Sequence, residues 1–222
     1  MKMLRGILVV SCFFLLTESA HGQMQVELGV KGGVNFSNIN STSAVVTTYG
    51  EQTGYHAGAY AMFKFGKAAI QPEVLYSSEG QQYKYPLQGY PQFKSTLNYV
   101  NVPILLKIYV TDWLNLQAGP QLGFLVNSKG YTYGYNPGGT PVITSQSLDH
   151  YVQGFNMSIA IGAGVDLPFG LNFSMRYNGG VRDINNLTGQ PSGSISSSFG
   201  TSVAKTEVFQ ISVGYRLFKI GG

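Results

Sequence analysis

Apolar and polar side chains alternate with period two along most of this chain, and nowhere more regularly than between Tyr99 and Val126. Val100, Val102, Ile104, Leu106 and Ile108 share one parity, while Tyr99, Asn101, Pro103, Leu105 and Lys107 share the other. After the break at Thr111-Asp112-Trp113, Leu114, Leu116, Ala118, Pro120, Leu122, Phe124 and Val126 alternate with Asn115, Gln117, Gly119, Gln121 and Gly123. Side chains of a β-strand point to opposite faces in turn, so each arm has one apolar face and one polar or small face. Two such arms joined by a short turn form a hairpin whose apolar band is about as tall as a bilayer core.

The same pattern recurs on both sides of this hairpin. Val26, Leu28, Val30, Val34 and Phe36 predict a first strand, Tyr55 to Phe65 a second, and Ile70 to Ser77 a third. Beyond the hairpin, Phe155 to Leu167, Leu171 to Asn178 and Phe209 to Leu217 predict three more. Gly66-Lys67, Thr111-Asp112 and Pro168-Phe169-Gly170 are short turns, whereas Ser37–Gln52, Gly80–Ser95, Asn127–Tyr151 and Arg182–Lys205 are long and polar. Even strand number with alternating short and long connections predicts an all-β fold, an eight-stranded antiparallel up-and-down transmembrane β-barrel. Both chain ends then fall at the short-turn rim.

Closure has a physical cause. Lipid offers no hydrogen bonds, so a spanning sheet must leave no edge. The apolar parity then faces lipid and the polar parity fills a narrow lumen. Inward glycines (Gly58, Gly119, Gly123, Gly162, Gly164) are expected to make room for larger inward groups. Phe65, Tyr109, Trp113, Phe169 and Tyr177 near strand ends are expected to form interfacial girdles.

The first residues read differently. Lys2 and Arg5 precede the apolar run Gly6 to Leu16, and Ala20-His21-Gly22 supplies the small residues of a processing site. The expectation is a signal peptide over 1–22 and a mature domain over 23–222. The one cysteine, Cys12, lies inside that run; Val9-Val10-Ser11-Cys12 also resembles a lipoprotein processing site. A mature chain without thiols has no disulfide or cysteine-based metal chemistry.

Charged residues make up only 11% of the 222, and no run of about 20 apolar residues follows the signal, which excludes spanning helices. A formal charge of +4 is too small an excess to argue for nucleic acid.

Candidate chemistry divides between lumen and loops. Glu27, Lys31, Lys64, Glu73, Lys107, Asp166, Arg176 and Arg216 have inward parity, with His56 nearby. Buried charges need partners, so these are expected to form an ion-paired plug in a lumen just wide enough for side chains. The alternative is a charged constriction that selects a solute. In the loops, Tyr83, Tyr85, Tyr90 and Phe93 precede the central hairpin, and Tyr131, Tyr133 and Tyr135 follow it. They are expected either to form a recognition surface, the latter three as a β-ribbon above the membrane, or to pack the barrel mouth. Asp149-His150 with Ser145 and Ser147 is the nearest approach to a hydrolytic set, but no nucleophile frame surrounds it. No metal-ligand spacing and no phosphate loop occurs, so neither a metal nor a cofactor is expected.

Several segments carry a family resemblance: Leu28-Gly-Val-Lys-Gly-Gly-Val-Asn-Phe-Ser, Ile70-Gln-Pro-Glu-Val-Leu-Tyr-Ser, Tyr99-Val-Asn-Val-Pro-Ile-Leu-Leu-Lys, Ala118-Gly-Pro-Gln-Leu-Gly, Gly162-Ala-Gly-Val and Val213-Gly-Tyr-Arg-Leu-Phe. Together the chain resembles the small outer-membrane β-barrel proteins common in Bacteroidetes, the outer membrane protein beta-barrel domain or porin-family type. The resemblance implies residence in the outer membrane of a Gram-negative cell and contact with outer-membrane lipid, lipopolysaccharide and the barrel-assembly machinery. It implies no shared activity, so the expected role is non-enzymatic, structural or ligand-binding through the loops; solute transport and lipid modification are the alternatives. Many such barrels end on an aromatic residue, whereas here Phe218 is followed by Lys-Ile-Gly-Gly.

Overall fold

The computed structural model describes residues 24–41, 48–84, 92–135, 140–149, 152–182, 184 and 204–221. The expected signal peptide, Cys12, Tyr85, Tyr90, Asn136–Gly139 and His150 lie outside the described residues.

The chain forms β1 (Gln25–Ser41), β2 (Thr48–Phe65), β3 (Ala68–Lys84), β4 (Gln92–Tyr109), β5 (Leu114–Tyr135), β6 (Pro141–Ser147), β7 (Phe155–Asp166), β8 (Leu171–Gly180) and β9 (Ala204–Ile220). Every pairing is antiparallel. The order β4-β3-β2-β1-β9-β8-β7-β5 closes through a β4–β5 ladder into a ring of eight, while β6 pairs with the far end of β5. Short turns at Gly66-Lys67, Val110–Trp113 and Leu167–Gly170 lie at one rim with both ends of the described chain. Gly66 (φ 56°) and Gly170 (φ 97°) supply the left-handed backbone that these turns require.

Burial follows the alternation. Leu28, Val30, Ile104, Leu106, Leu116, Ile161, Met175, Ile211 and Val213 each stand at least 40% exposed on the outside. An apolar belt of this extent faces lipid, because soluble monomers do not expose such surfaces to water. The lumen is not purely polar: Leu75, Leu97, Leu105 and Val208 point inward and are buried.

Three expectations are corrected. The segment Asn127–Tyr151 is not simply a loop: β5 continues to Tyr135 and β6 folds back along it, with Tyr131 opposite Ser145 and Tyr133 opposite Ile143. Hydrophobic alternation fades at the edge of the lipid because both faces beyond it meet water, but the backbone ladder continues. Tyr109 is not a girdle residue. It has inward parity on β4 and is only 4% exposed, whereas Phe65, Trp113, Phe169 and Tyr177 do face outward. The inward glycines act in two ways. A Cβ at Gly58, Gly119 or Gly162 would strike the carbonyl oxygen of Val74, Ile104 or Met175 on the neighbouring strand, so these glycines permit tight coiling of the wall. Of the five, Gly123 and Gly164 make room for side chains, those of Asn101 and Asn115.

One irregularity matters for the site. Asn98 pairs with Asn127 and Tyr99 with Leu125, so Val126 is an extra residue on β5. The bulge inverts the parity above it. Below, Gln117, Gln121 and Gly123 look into the lumen; above, Ser128 and Gly130 are the buried residues and Lys129 is exposed.

Candidate functional site

The lumen is crossed at mid-height by one carboxylate and two cations. Glu73 of β3 accepts from Lys31 Nζ of β1 at 2.9 Å and from Arg176 of β8, whose Nη1 and Nη2 lie 3.1 and 3.0 Å from Oε2 and Oε1. Gln71 Nε2 adds a donor at 2.7 Å. The fork geometry of Arg176 suits a carboxylate, and charge-assisted bonds of this kind are the stronger ones. All three charged side chains are at most 2% exposed. Burying such a set is tolerable only because every charge is paired.

Toward the short-turn rim lies a second layer. Asp166 Oδ2 accepts from Tyr109 Oη at 2.6 Å, Asn115 Nδ2 at 2.9 Å and Lys107 Nζ at 3.2 Å. Glu27 pairs with Arg216 Nη1 at 2.7 Å and also accepts from Gln25, while Arg216 Nη2 donates to the Pro168 carbonyl at 2.8 Å. Lys64 makes no ion pair among the described residues; its ammonium stands 3.7 Å from the centre of the Tyr109 ring. Glu27, Lys64, Tyr109, Asp166 and Arg216 line a vestibule of about 310 Å³ open at the rim, bounded also by Asp112 and Trp113. A second, smaller space of about 10 Å³ adjoins it, lined in part by Tyr60, Gln71 and Asn172. That is about one water in size.

Above the clamp, Asn35 is the hub of a hydrogen-bond network. Its Nδ2 donates to Ser77 Oγ at 2.9 Å, and its Oδ1 meets His56 Nδ1 at 2.7 Å and Gln210 Nε2 at 3.1 Å. His56 Nε2 lies 2.8 Å from Ser212 Oγ. Glu79, absent from the sequence-level candidates, is buried and accepts from Ser77 Oγ and Asn101 Nδ2, each at 2.9 Å. Its shared parity with Gln71, Glu73 and Ser77 was the signal for it. The mouth is then capped by an apolar cluster of Leu97, Tyr99, Leu148, Val152 and Ile184.

The strands continue beyond this cap. Asp149 ties the ribbon down: its Oδ1 accepts from Ser128 N at 2.7 Å and Ser128 Oγ at 2.6 Å, and its Oδ2 from Ser147 Oγ at 2.7 Å. Ser147 and Asp149 therefore serve the ribbon's attachment to β5. Tyr131 is half-buried and Tyr133 is 37% exposed, both on the outward face that the Val126 bulge creates. Tyr135 pairs with Pro141 on the ribbon, and Tyr83 with Phe93 in the β3–β4 ladder.

Residues 20–186 match the family described as outer membrane protein beta-barrel domain. No curated protein sequence matches the chain at a significant level. Among solved structures, Neisserial surface protein A is 11% identical with a TM-score of 0.46, covering 86% of this chain and 97% of that one. Ail, the attachment invasion locus protein of Yersinia pestis, solved with the heparin analogue sucrose octasulfate, is 10% identical with a TM-score of 0.43, covering 88% and 99%. OprG of Pseudomonas aeruginosa is 15% identical with a TM-score of 0.38, covering 90% and 96%.

Proposed function

As a member of the outer membrane protein beta-barrel domain family the chain is an integral outer-membrane protein, and we propose that it works at the cell surface through the strands that rise above the bilayer. In this reading the lumen is a filled strut, the short-turn rim faces the periplasm, and no catalysis or cofactor is involved. The barrel is of the Bacteroidetes type, and its partners are outer-membrane lipid, lipopolysaccharide, the assembly machinery and an external ligand. The observation that carries the reading is the buried clamp across the lumen, in which Glu73 holds Lys31 and Arg176 with Gln71 against it. An eight-stranded ring leaves an interior that side chains fill, so little else can pass.

A second reading, passage of a small or hydrophobic solute, is favoured by the vestibule of about 310 Å³ at the short-turn rim. Planar bilayers separate the two. The purified protein is expected to give no discrete conductance steps, and Glu73→Ala, with its clamp opened, is expected to add some. Steps from the unmodified protein, or uptake of a small solute into liposomes that carry it, overturn the filled-strut reading.

A further inference from the structure

The vestibule at the short-turn rim holds more charge than its own pairs consume. Glu27, Lys64, Asp112, Asp166, Arg216 and Lys219 all line it. Glu27 is taken by Arg216, whose other arm holds the Pro168 carbonyl. Asp166 is taken by Lys107, Tyr109 and Asn115. Lys64, Lys219 and Asp112 stand outside every ion pair among the described residues, a surplus of one positive charge. Lys64 rests on the Tyr109 ring, which gives its ammonium no oxygen acceptor.

Lys219 reaches this space through an irregularity of β9. Phe218 pairs with Leu28 and Arg216 with Gly29, so Leu217 is an extra residue. The bulge returns Lys219 to the inward face that Arg216 occupies, opposite Glu27. Lys64 pairs with Gln25 on the other side of β1. The two free lysines therefore flank β1, on strands about 10 Å apart.

Size and charge select the occupant. The vestibule, at about 310 Å³, is at the lower end of the range for small-molecule sites, roughly 300–1,000 Å³. Met62, Leu167, Pro168 and Trp113 add apolar surface between the charges. One surplus positive charge is balanced by a monoanion and overshot by a dianion. We infer that the vestibule is a binding site for a small organic monocarboxylate, entered from the short-turn rim. The carboxylate lies between the Lys64 and Lys219 ammonium groups, where charge-assisted hydrogen bonds hold it. The hydrocarbon body lies against Met62, Leu167 and Pro168. Glu27 and Asp166 do not repel it, because each already has its cation. The site needs no passage through the barrel: the Glu73 clamp crosses the lumen between it and the far mouth.

The test uses the full chain in phosphatidylcholine nanodiscs, titrated with 4-fluorobenzoate and followed by fluorine NMR. Saturable binding is expected, and the double variant Lys64→Gln with Lys219→Gln is expected to weaken it about tenfold or more, the factor that 1.4 kcal/mol represents. Lys67→Gln, at the same rim but outside the vestibule, is expected to leave it unchanged. Asp112→Asn raises the surplus by one charge and is expected to tighten it. The cation 4-fluorobenzylamine, of the same size, is expected not to bind, and inorganic phosphate to compete more weakly than benzoate. Heat-modifiability on a gel verifies that each variant is a closed barrel. Equal binding by the parent and the lysine double variant overturns the inference, and so does binding of the amine as tight as that of the acid. Phosphate competing better than benzoate overturns the assignment to a monocarboxylate. Bilayer conductance and liposome uptake test the filled-strut reading separately, since a site closed at its inner end binds without passage.

Discussion

Arg176 and Glu73, 103 positions apart in the chain, meet across the lumen with both guanidinium Nη atoms 3.0 to 3.1 Å from carboxylate oxygens. The bond ties β8 to β3, strands on opposite arcs of the ring. It takes its strength from isolation, since neither side chain is more than 1% exposed.

Glu73→Ala leaves Lys31 and Arg176 buried without a counter-charge and is expected to cost about 3–5 kcal/mol. The measurement is the midpoint of urea unfolding in lipid vesicles, followed by the gel shift between folded and unfolded forms. Replacing all three charges with apolar residues of similar volume, as in Lys31→Met, Glu73→Leu, Arg176→Met, is expected to restore near-parental stability. A triple variant as unstable as Glu73→Ala alone would show that the clamp contributes more than charge balance.

Ile104 and Ile161 are 46% and 61% exposed on the outside of the belt. Arginine at either is expected to cost roughly 2–4 kcal/mol in folding into bilayers if it lies near the midplane. Ser158, buried on the other parity of the same strand as Ile161, is expected to accept alanine with a much smaller loss. The reverse ranking, read from refolding yield into vesicles, would mean that the faces are exchanged.

Gly119→Ala places a methyl group against the Ile104 carbonyl and Gly58→Ala one against that of Val74, so each forces the strands apart. Overpacking of this kind costs about 1–3 kcal/mol. Gly154→Ala is the control, because nothing lies within 4 Å of its Cβ position. Heat-modified and unmodified bands on a gel report the fraction of each variant that closes.

Asp149→Ala removes three acceptor contacts that fasten the end of β6 to β5, at Ser128 and Ser147. Protease added to intact cells is expected to cut between 140 and 149 faster in this variant than in the parent, while the barrel stays folded. The turn at Gly66-Lys67 should survive in both. Cleavage there on intact cells would place the short-turn rim outside.

Hydrophobic patterning was enough to specify the barrel, its eight ring strands and which parity meets lipid, because lipid imposes one demand at every outward position. Val100 to Ile108 and Leu114 to Val126 report that demand without reference to any other part of the chain. It also made Lys31, Glu73 and Arg176 recognisable as inward charges, but not as partners. Which charge meets which depends on stagger and closure, and Asp166 was equally eligible for Arg176. Glu79 and the apolar cap of Leu97, Tyr99, Leu148, Val152 and Ile184 depend on long-range packing that no local period records. The direction of Tyr131 and Tyr133 was decided by tertiary structure alone. One extra residue at Val126 turns them from the mouth to the membrane side, and the pairing that reveals it exists only between two strands.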